Sequence, residues 1–383
     1  MDEHLLEFMY ESLSESANTS GLTEEFMNSS GSTSENEEEH VPNENFLDTI
    51  DGYTDQDFRK HFRMNRSTAH ILIERYNTSA FYSKKEHGGF CKVGAAKEIY
   101  MLLWCMANTS TFREIANRFN MAESTAWRVI RRVIEWLLSI GHEYVQWPSL
   151  SKARDNIRKF HAMKSIPNVI GCIDCSHIKI KAPVSNKEAY FNRKHFYSLQ
   201  LQAVVDADKM FIDIFAGEPG SLHDSRVLRR SSLYQRALDD ITSTFPFNSC
   251  LLGDSAYANT EWLISPFRDN GFLTSAQRQL NYLHSSTRIV FENAFGLLKM
   301  RFRRLLHFTE NIDLQWIVRI IICGCILHNI CCLEHDSIED ENLIEDEEPV
   351  SNMHLQGNEA ASGSRRDIVL QNLIDTNVIS TPS

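Results

Sequence analysis

The sequence predicts an α/β protein in which a helical region precedes a mixed-sheet domain. Apolar residues recur with helical periodicity from about residue 53 to residue 148. Further along, the β-rich runs at residues 198–205 and 210–215 are separated by Asp206-Ala207-Asp208-Lys209, which is a good hairpin signal. Two short apolar runs, residues 169–173 and 250–253, are each followed directly by an aspartate.

The helical region has the form of a helix-turn-helix. Residues 96–107, 111–119 and 123–138 predict three helices, and residues 120–124 form a short turn before the last of them. In a DNA-reading unit this last helix would present Ser124, Thr125 and Arg128 to the major groove, with Arg131 and Arg132 nearer the phosphates. The alternative is an ordinary helical hairpin whose arginines are solvated.

The second region changes character after Pro148. A strand, a hairpin, a helix at residues 231–240, a strand at residues 250–253 and a late helix at residues 286–306 follow in order. This succession suits a mixed-sheet domain of RNase H type. We therefore divide the chain into an acidic tail (1–52), a helix-turn-helix-like domain (53–148), a catalytic domain (165–333) and a second acidic tail (334–383). Both tails are predicted to be disordered.

Charge is strongly segregated along the chain. The net charge of 383 residues is -12, yet residues 1–57 hold 16 acids and no Lys or Arg, and residues 334–383 hold 12 acids against two arginines. The intervening residues 58–333 keep 23 acids and 37 bases, a net of +14. A basic core of this kind can supply the phosphate attraction that DNA binding requires, although a basic domain without that purpose is the alternative.

Nine cysteines without a secretory leader predict a reducing compartment. The most apolar run, residues 316–333, contains Arg319, His328 and Asn329, so we interpret it as a buried helix and predict no membrane span. No strong basic nuclear-import cluster is evident.

Three acids are candidates for catalysis. Asp174 and Asp254 follow buried strands, where ligand sites of α/β sheets usually form, and Glu292 lies in a predicted helix on roughly the face of Arg288. Phosphodiester cleavage by two divalent ions needs a few carboxylates, and Mg²⁺ and Mn²⁺ prefer oxygen ligands. Each acid alone has an ordinary explanation, as a turn former or as an i,i+4 partner of Arg288. A zinc site at Cys172 and Cys175 is disfavoured because no second pair has suitable spacing.

Several blocks resemble the PIF/Harbinger family of DDE transposases and their domesticated, harbinger-derived nuclease relatives. They are Gly171-Cys172-Ile173-Asp174-Cys175-Ser176-His177-Ile178, residues 197–206, residues 217–228 around His223-Asp224-Ser225, Leu252-Gly253-Asp254-Ser255-Ala256-Tyr257, residues 288–299 around Glu292, and Leu327-His328-Asn329. The resemblance covers about residues 55–333. It implies an RNase H-like catalytic domain in which Asp174, Asp254 and Glu292 are the catalytic acids and metal ligands. Asp224 is a further metal-binding residue, as an accessory acid, or else a structural residue.

The chain departs from the family pattern at two places. Cys175-Ser176 stands where family members usually have Gly-Thr, and Ala258 stands where they often have Pro. Neither departure removes a predicted ligand.

The resemblance therefore implies an Mg²⁺- or Mn²⁺-dependent nuclease acting on DNA. The alternative is a domesticated, non-catalytic DNA-binding or chromatin-associated adaptor. Phosphate contacts are predicted at Arg193, Lys194, Lys299 and Arg301. The family also suggests a Myb-like partner that supplies DNA recognition and delivery to the nucleus. The cytoplasm is a second expected location, and an oligomer is compatible with the sequence.

Overall fold

A computed structural model describes residues 46–82, 93–308, 313–337 and 364–379. The predicted disorder of residues 1–45 and 338–363 falls outside this part of the chain.

The N-terminal part of the described chain is helical, as predicted. Its helices are α1 (Phe46–Gly52), α2 (Asp55–Phe62), α3 (Arg66–Thr78), α4 (Ala95–Ala107), α5 (Phe112–Arg118) and α6 (Glu123–Ser139). Thr111 forms a capping box with Glu114 at the start of α5, which satisfies backbone N–H groups that have no partner within the helix. Helix α4 is buried along nearly its whole length, so it forms the centre of this helical region.

Helices α5 and α6 lie where the helix-turn-helix pattern predicts helices. Helix α6 buries one face through Ala126, Val129, Ile130, Val133 and Ile134. Its other face exposes Ser124, Arg128 and Arg131, while Thr125 is half-buried. The geometry is therefore compatible with a surface that contacts a ligand, and the DNA-reading role remains a prediction.

The second part contains a five-stranded mixed sheet. After α7 (Leu150–Lys164), the strands are β1 (Val169–Lys179), β2 (Ser198–Val205), β3 (Phe211–Pro219), β4 (Cys250–Gly253) and β5 (Leu263–Ile264), in the spatial order β3-β2-β1-β4-β5. The β1–β2 and β2–β3 pairs are antiparallel, and the β1–β4 and β4–β5 pairs are parallel. This mixed α/β sheet confirms the predicted class, and the hairpin loop falls at Asp206 to Met210.

Both faces of the sheet are covered by helices. One face packs into the main core with the helix α12 (Ser275–Arg301), through residues such as Cys172 and Leu201. The other face, with Ile173 and Val204, packs on a smaller cluster. The short helices on the connections are α8 (Lys187–Tyr190), α9 (Asp224–Arg230), α10 (Ser232–Asp239) and α11 (Ile241–Thr244).

Helix α12 begins at Ser275, eleven residues before the predicted start at residue 286. Thr274 accepts a hydrogen bond from Gln277 N–H, and the Gln277 side chain accepts one from Thr274 N–H. This capping box lies before the apolar periodicity becomes regular, so the pattern alone placed the start too late.

The apolar run near residue 320 forms helix α13 (Leu314–Leu333). By length and hydropathy it could cross a membrane, but 78% of its most apolar window is buried inside the protein. A Cβ atom on Gly324 would lie 2.8 Å from Leu305 Cδ1 and 3.4 Å from Met106 Cε, so the absent side chain lets α13 approach its neighbours closely. The helix is thus a core element, as predicted.

The two predicted tails are not entirely without structure. Helix α1 falls within residues 1–52, and helix α14 (Arg365–Asp375) falls within residues 334–383. Ile50 of α1 and Val369 and Leu373 of α14 are buried. The prediction of disorder is therefore wrong for these two segments, because each has enough apolar side chains to cover part of the core.

Candidate active site

Strand register brings Asp174 and Asp254 together. Ile173 of β1 pairs in parallel with Gly253, the last residue of β4. The residues that follow this pair in the two segments are Asp174 and Asp254. Only Asp254 follows the end of its strand. Strand β1 continues to Lys179 along β2, so the prediction that Asp174 ends a strand is wrong. Asp174 lies directly after the last residue of β1 that pairs with β4.

Asp224 lies close to Asp174 and Asp254, on a separate segment of the chain. It is the first residue of α9, directly after a turn that follows β3. Ligand oxygens of Asp174, Asp224 and Asp254 all lie within 4.8 Å of one another, and all three residues are half-buried. This cluster, the acidic cluster, is the only group of three metal-ligating side chains in the described residues.

Glu292 lies outside the acidic cluster. It is exposed on α12, one turn after Arg288, and its negative charge is felt by that arginine. The geometry therefore assembles Asp174 with Asp254, as predicted, but the third converging carboxylate belongs to Asp224.

Arg288 is the cation of the site. Its guanidinium donates a hydrogen bond to Asp174 Oδ2, and the other oxygen of Asp174 accepts one from the N–H of Cys175 at 2.8 Å. Asp174, Asp254 and Glu292 all raise the pKa of Arg288 against the effect of its burial. Sequence reasoning considered Arg288 only as a partner of Glu292. The i,i+4 spacing of Arg288 and Glu292 on one helix face was the sequence signal that placed Arg288 near the site.

The acidic cluster holds more negative charge than its surroundings neutralise. Burial raises the pKa of Asp174 to about 7 against the effect of Arg288, and repulsion from Asp254 and Asp224 adds to the rise. Burial and the charge of Asp254 likewise raise the pKa of Asp224 to about 6. Crowded carboxylates with raised pKa values are typical of sites that bind a cation or a proton.

The cluster suits a hard divalent cation. Its donors are carboxylate oxygens on three separate segments, and its own electrostatics show the deficit of positive charge that a cation would supply. Asp174, Asp224 and Asp254 are therefore the residues that would hold such an ion.

The Cys175 departure is accommodated on the face of β1 opposite Asp174. Its thiol lies 3.4 Å from the Tyr257 hydroxyl and also bonds to Asp224. Burial raises the pKa of this thiol well above its usual range, so it is a neutral hydrogen-bonding group. Because successive strand residues point to opposite faces, Cys172 and Cys175 lie on opposite sides of β1.

The predicted phosphate contacts have different surroundings. Arg193 and Lys194 are exposed on the connection between β1 and β2, and Lys299 is half-buried and donates to the carbonyl of His177 at 3.4 Å. Burial lowers the pKa of His177 to about 4, and the charges of all three residues add to this effect, so they lie around His177, three residues after Asp174 on β1.

Two of the arginines that were predicted to contact DNA form ion pairs within the protein. Arg301 is 4% exposed and bonds to Asp336 and to the carbonyl of Arg63, so the prediction for Arg301 is wrong. A charged side chain at the end of a helix predicts an exposed position, but the Arg301 side chain points into the core. Arg132 forms an ion pair with the buried carboxylate of Glu98, which uses its guanidinium within the helical region.

The acidic cluster lies within the part of the chain that matches a known family of endonucleases. Residues 173–329 match the model of the DDE superfamily endonuclease family, a range that includes the acidic cluster, Arg288 and Glu292. No solved structure matches the chain significantly.

The curated relatives extend the match and confirm the resemblance to harbinger-derived nucleases. The chain is 32% identical over 253 residues to "Protein ALP1-like" of Arabidopsis thaliana, covering 63% of this chain and 60% of that one. It is 27% identical over 293 residues to "Putative nuclease HARBI1" of Rattus norvegicus, covering 75% and 80%. The human protein of that name is 30% identical over 228 residues, covering 58% and 62%. The chain is thus similar to harbinger-derived DDE nucleases, and it spans only 60% of the length of the plant relative.

Proposed function

We propose that this protein is a divalent-metal-dependent DNA endonuclease whose metal ligands are Asp174, Asp224 and Asp254. The observation that carries the proposal is the convergence of these three carboxylates beside the β1–β4 junction. The nuclease names of the relatives support the reaction class, and DNA is the substrate that this class suggests.

The metal is Mg²⁺ or Mn²⁺ in this proposal, and two ions act together. Bound divalent ions neutralise the reacting phosphate and favour deprotonation of the attacking water. Asp174 and Asp254 would serve both metal sites, Asp224 would complete the first site, and the exposed Glu292 would complete the second when DNA is present. Arg288 holds Asp174 in place, and its charge opposes the rise that burial causes in the pKa of this carboxyl.

DNA lies across the basic surface in this proposal. Arg193, Lys194 and Lys299 contact phosphates near the acidic cluster, while Ser124, Thr125, Arg128 and Arg131 on α6 contact DNA at a second place, as a helix-turn-helix would. A Myb-like partner that delivers the protein to the nucleus would complete the family pattern.

A nicking assay on supercoiled plasmid tests the nuclease. With Mg²⁺ or Mn²⁺ we expect nicked product, and with EDTA none. Asp174→Asn and Asp254→Asn should each reduce the rate by at least about a thousandfold, since each removes an anionic ligand from the metal site. Asp239→Asn is a matched control because its carboxylate is exposed and accepts only from Gln235 within α10. If the Asp174 and Asp239 variants nick equally fast, the proposed active site is wrong.

One observation favours the second candidate, a non-catalytic DNA-binding adaptor. Arg288 occupies one oxygen of Asp174, which is the position a metal ion would need. In an adaptor this ion pair would be permanent. Calorimetry with Mn²⁺ separates the two functions, because only the nuclease requires binding of Mn²⁺ that Asp174→Asn abolishes.

A further inference from the structure

The connection between β1 and β2 contains a small hairpin next to the acidic cluster. Phe191 and Tyr197 form an antiparallel bridge, and residues 192–196 are the loop between them. His195 adopts a left-handed backbone with φ 63°, which closes the turn. Arg193, Lys194 and His195 are all exposed at its tip.

Asn192 holds this loop from inside. It is 2% exposed, and its Oδ1 accepts hydrogen bonds from Lys194 N–H at 2.9 Å and Phe196 N–H at 3.3 Å. Its backbone N–H donates to Phe196 O at 2.9 Å, and its carbonyl accepts from His195 N–H at 3.0 Å. One buried side chain thus fixes the backbone on both sides of the two cations.

Ser198 ties the loop to the rest of the site. Its hydroxyl accepts a hydrogen bond from Asn192 Nδ2 at 2.9 Å and lies 3.0 Å from His177 Nδ1 of β1. Its carbonyl accepts from Gly220 N–H at 2.9 Å, in the turn that leads to Asp224. A Cβ atom on Gly220 would lie 2.1 Å from this hydroxyl, so glycine is required for the close approach.

The aromatic side chains of the hairpin are also packed. The Phe196 ring meets His177 edge-to-face at 6.1 Å, and the Phe191 and Tyr197 rings lie 5.2 Å apart. The charge of Arg193 acts on Asp224 as well as on His177, so the tip is electrostatically close to the acidic cluster. Asn192 therefore gives Arg193 and Lys194 a fixed backbone conformation before any ligand binds.

We propose that the hairpin from Phe191 to Tyr197 is a preformed phosphate-binding turn, in which Arg193 and Lys194 hold two neighbouring backbone phosphates of the substrate strand beside the acidic cluster. Asn192 and Ser198 are positioning residues that keep these cations in place. This inference rests on the proposed function for its biological purpose, but it predicts DNA binding that needs neither metal nor cleavage.

Salt dependence of DNA binding tests the two cations. Each phosphate contact contributes about −0.9 to the slope of log affinity against log salt. Fluorescence anisotropy with a short labelled duplex in EDTA would compare the wild type with Arg193→Ala/Lys194→Ala. Between about 50 and about 200 mM salt, the Kd of the variant should rise about tenfold less than that of the wild type, because two contacts are lost. Arg158→Ala/Lys164→Ala on α7 is the matched control and should keep the wild-type slope.

A double-mutant cycle tests positioning. Ser198→Ala removes the hydroxyl that links Asn192 to β1. It should weaken binding about threefold in the wild type, because a less ordered loop must be fixed when DNA binds. In the Arg193→Ala/Lys194→Ala background it should change nothing, since there are no cations left to position. Equal effects in both backgrounds, or a wild-type salt slope in the double variant, would overturn the inference.

The two proposals fail separately. DNA binding that follows these expectations without any Mn²⁺-dependent nicking refutes the nuclease and leaves the phosphate-binding turn. Nicking that requires Asp174, together with a salt slope that ignores Arg193 and Lys194, refutes the turn and leaves the nuclease.

Discussion

Arg288 and Asp174 form a half-buried ion pair at the point where the first metal ligand is expected. A metal ion must therefore compete with both a guanidinium and a proton for the same carboxylate. This competition makes metal binding dependent on pH.

We expect the affinity for Mn²⁺ to rise with pH between about 5.5 and 7.5. The pKa of Asp174 is about 7 and that of Asp224 is about 6, so both carboxyls are largely protonated at pH 5.5 and ionised only at higher pH. A metal ion binds the ionised form, so each proton that must leave reduces the affinity by up to tenfold per pH unit. Calorimetry at several pH values would check this, and an affinity that is flat over the range would contradict it.

The acidic cluster predicts different roles for Asp224 and Glu292. Asp224→Asn should weaken Mn²⁺ binding in the absence of DNA by at least about tenfold, because it removes an anionic ligand. Glu292→Gln should leave that binding unchanged and reduce only the nicking rate, because Glu292 is exposed and outside the cluster. Equal loss of Mn²⁺ binding in both variants would show that Glu292 belongs to the first site.

The ion pair between Arg301 and Asp336 predicts a stability effect without a DNA effect. The two side chains are 5% and 0% exposed, and the other oxygen of Asp336 accepts from Asn65 N–H at 2.6 Å. Asp336→Ala leaves a buried guanidinium without its counter-charge and should lower the free energy of unfolding by about 3–5 kcal/mol. Urea denaturation measures this loss. Folded protein at low urea should keep the wild-type salt slope for DNA binding.

Helix α14 should contribute to stability although it lies beyond the family match. Leu373 is 2% exposed, and Arg366 stacks over the Phe267 ring at 3.9 Å. Leu373→Ala should cost about 2–4 kcal/mol of unfolding free energy, as is usual for a buried leucine. Ile368→Ala is the control in the same helix, since Ile368 is 55% exposed and should cost little. Equal losses would mean that α14 is not docked in solution.

Sequence patterns predicted the elements whose signal is local. The hairpin between β2 and β3, the helices α4 to α6 and strand β4 all lie close to their predicted positions, because periodicity and turn residues determine them. Asp174 and Asp254 could be paired because each follows an apolar run that forms parallel strands.

Other features depend on contacts between distant segments and could not be predicted. The family resemblance named Asp224 as a metal-binding residue, but its approach to Asp174 and Asp254 depends on the path of the turn after β3. Arg301 is buried because Asp336 lies against it. Helix α14 has a weak apolar signal, and its burial requires a surface that earlier elements create. Burial of charge and convergence of loops are tertiary properties.

Helix α13 joins the two regions that the sequence separates. The fully buried Asn329 donates to Tyr144 O at 2.9 Å, after the N-terminal helices, and to Phe211 O at 2.7 Å in β3, and it accepts from Phe211 N–H. Residues from Ile50 to Ile379 share one apolar core. Neither region therefore has a complete hydrophobic core of its own. Denaturant should melt them in a single transition, and a fragment ending near residue 148 should expose the surface that α13 covers and aggregate. An exchange of one region between relatives would therefore have to preserve the contacts that α13 makes with both regions.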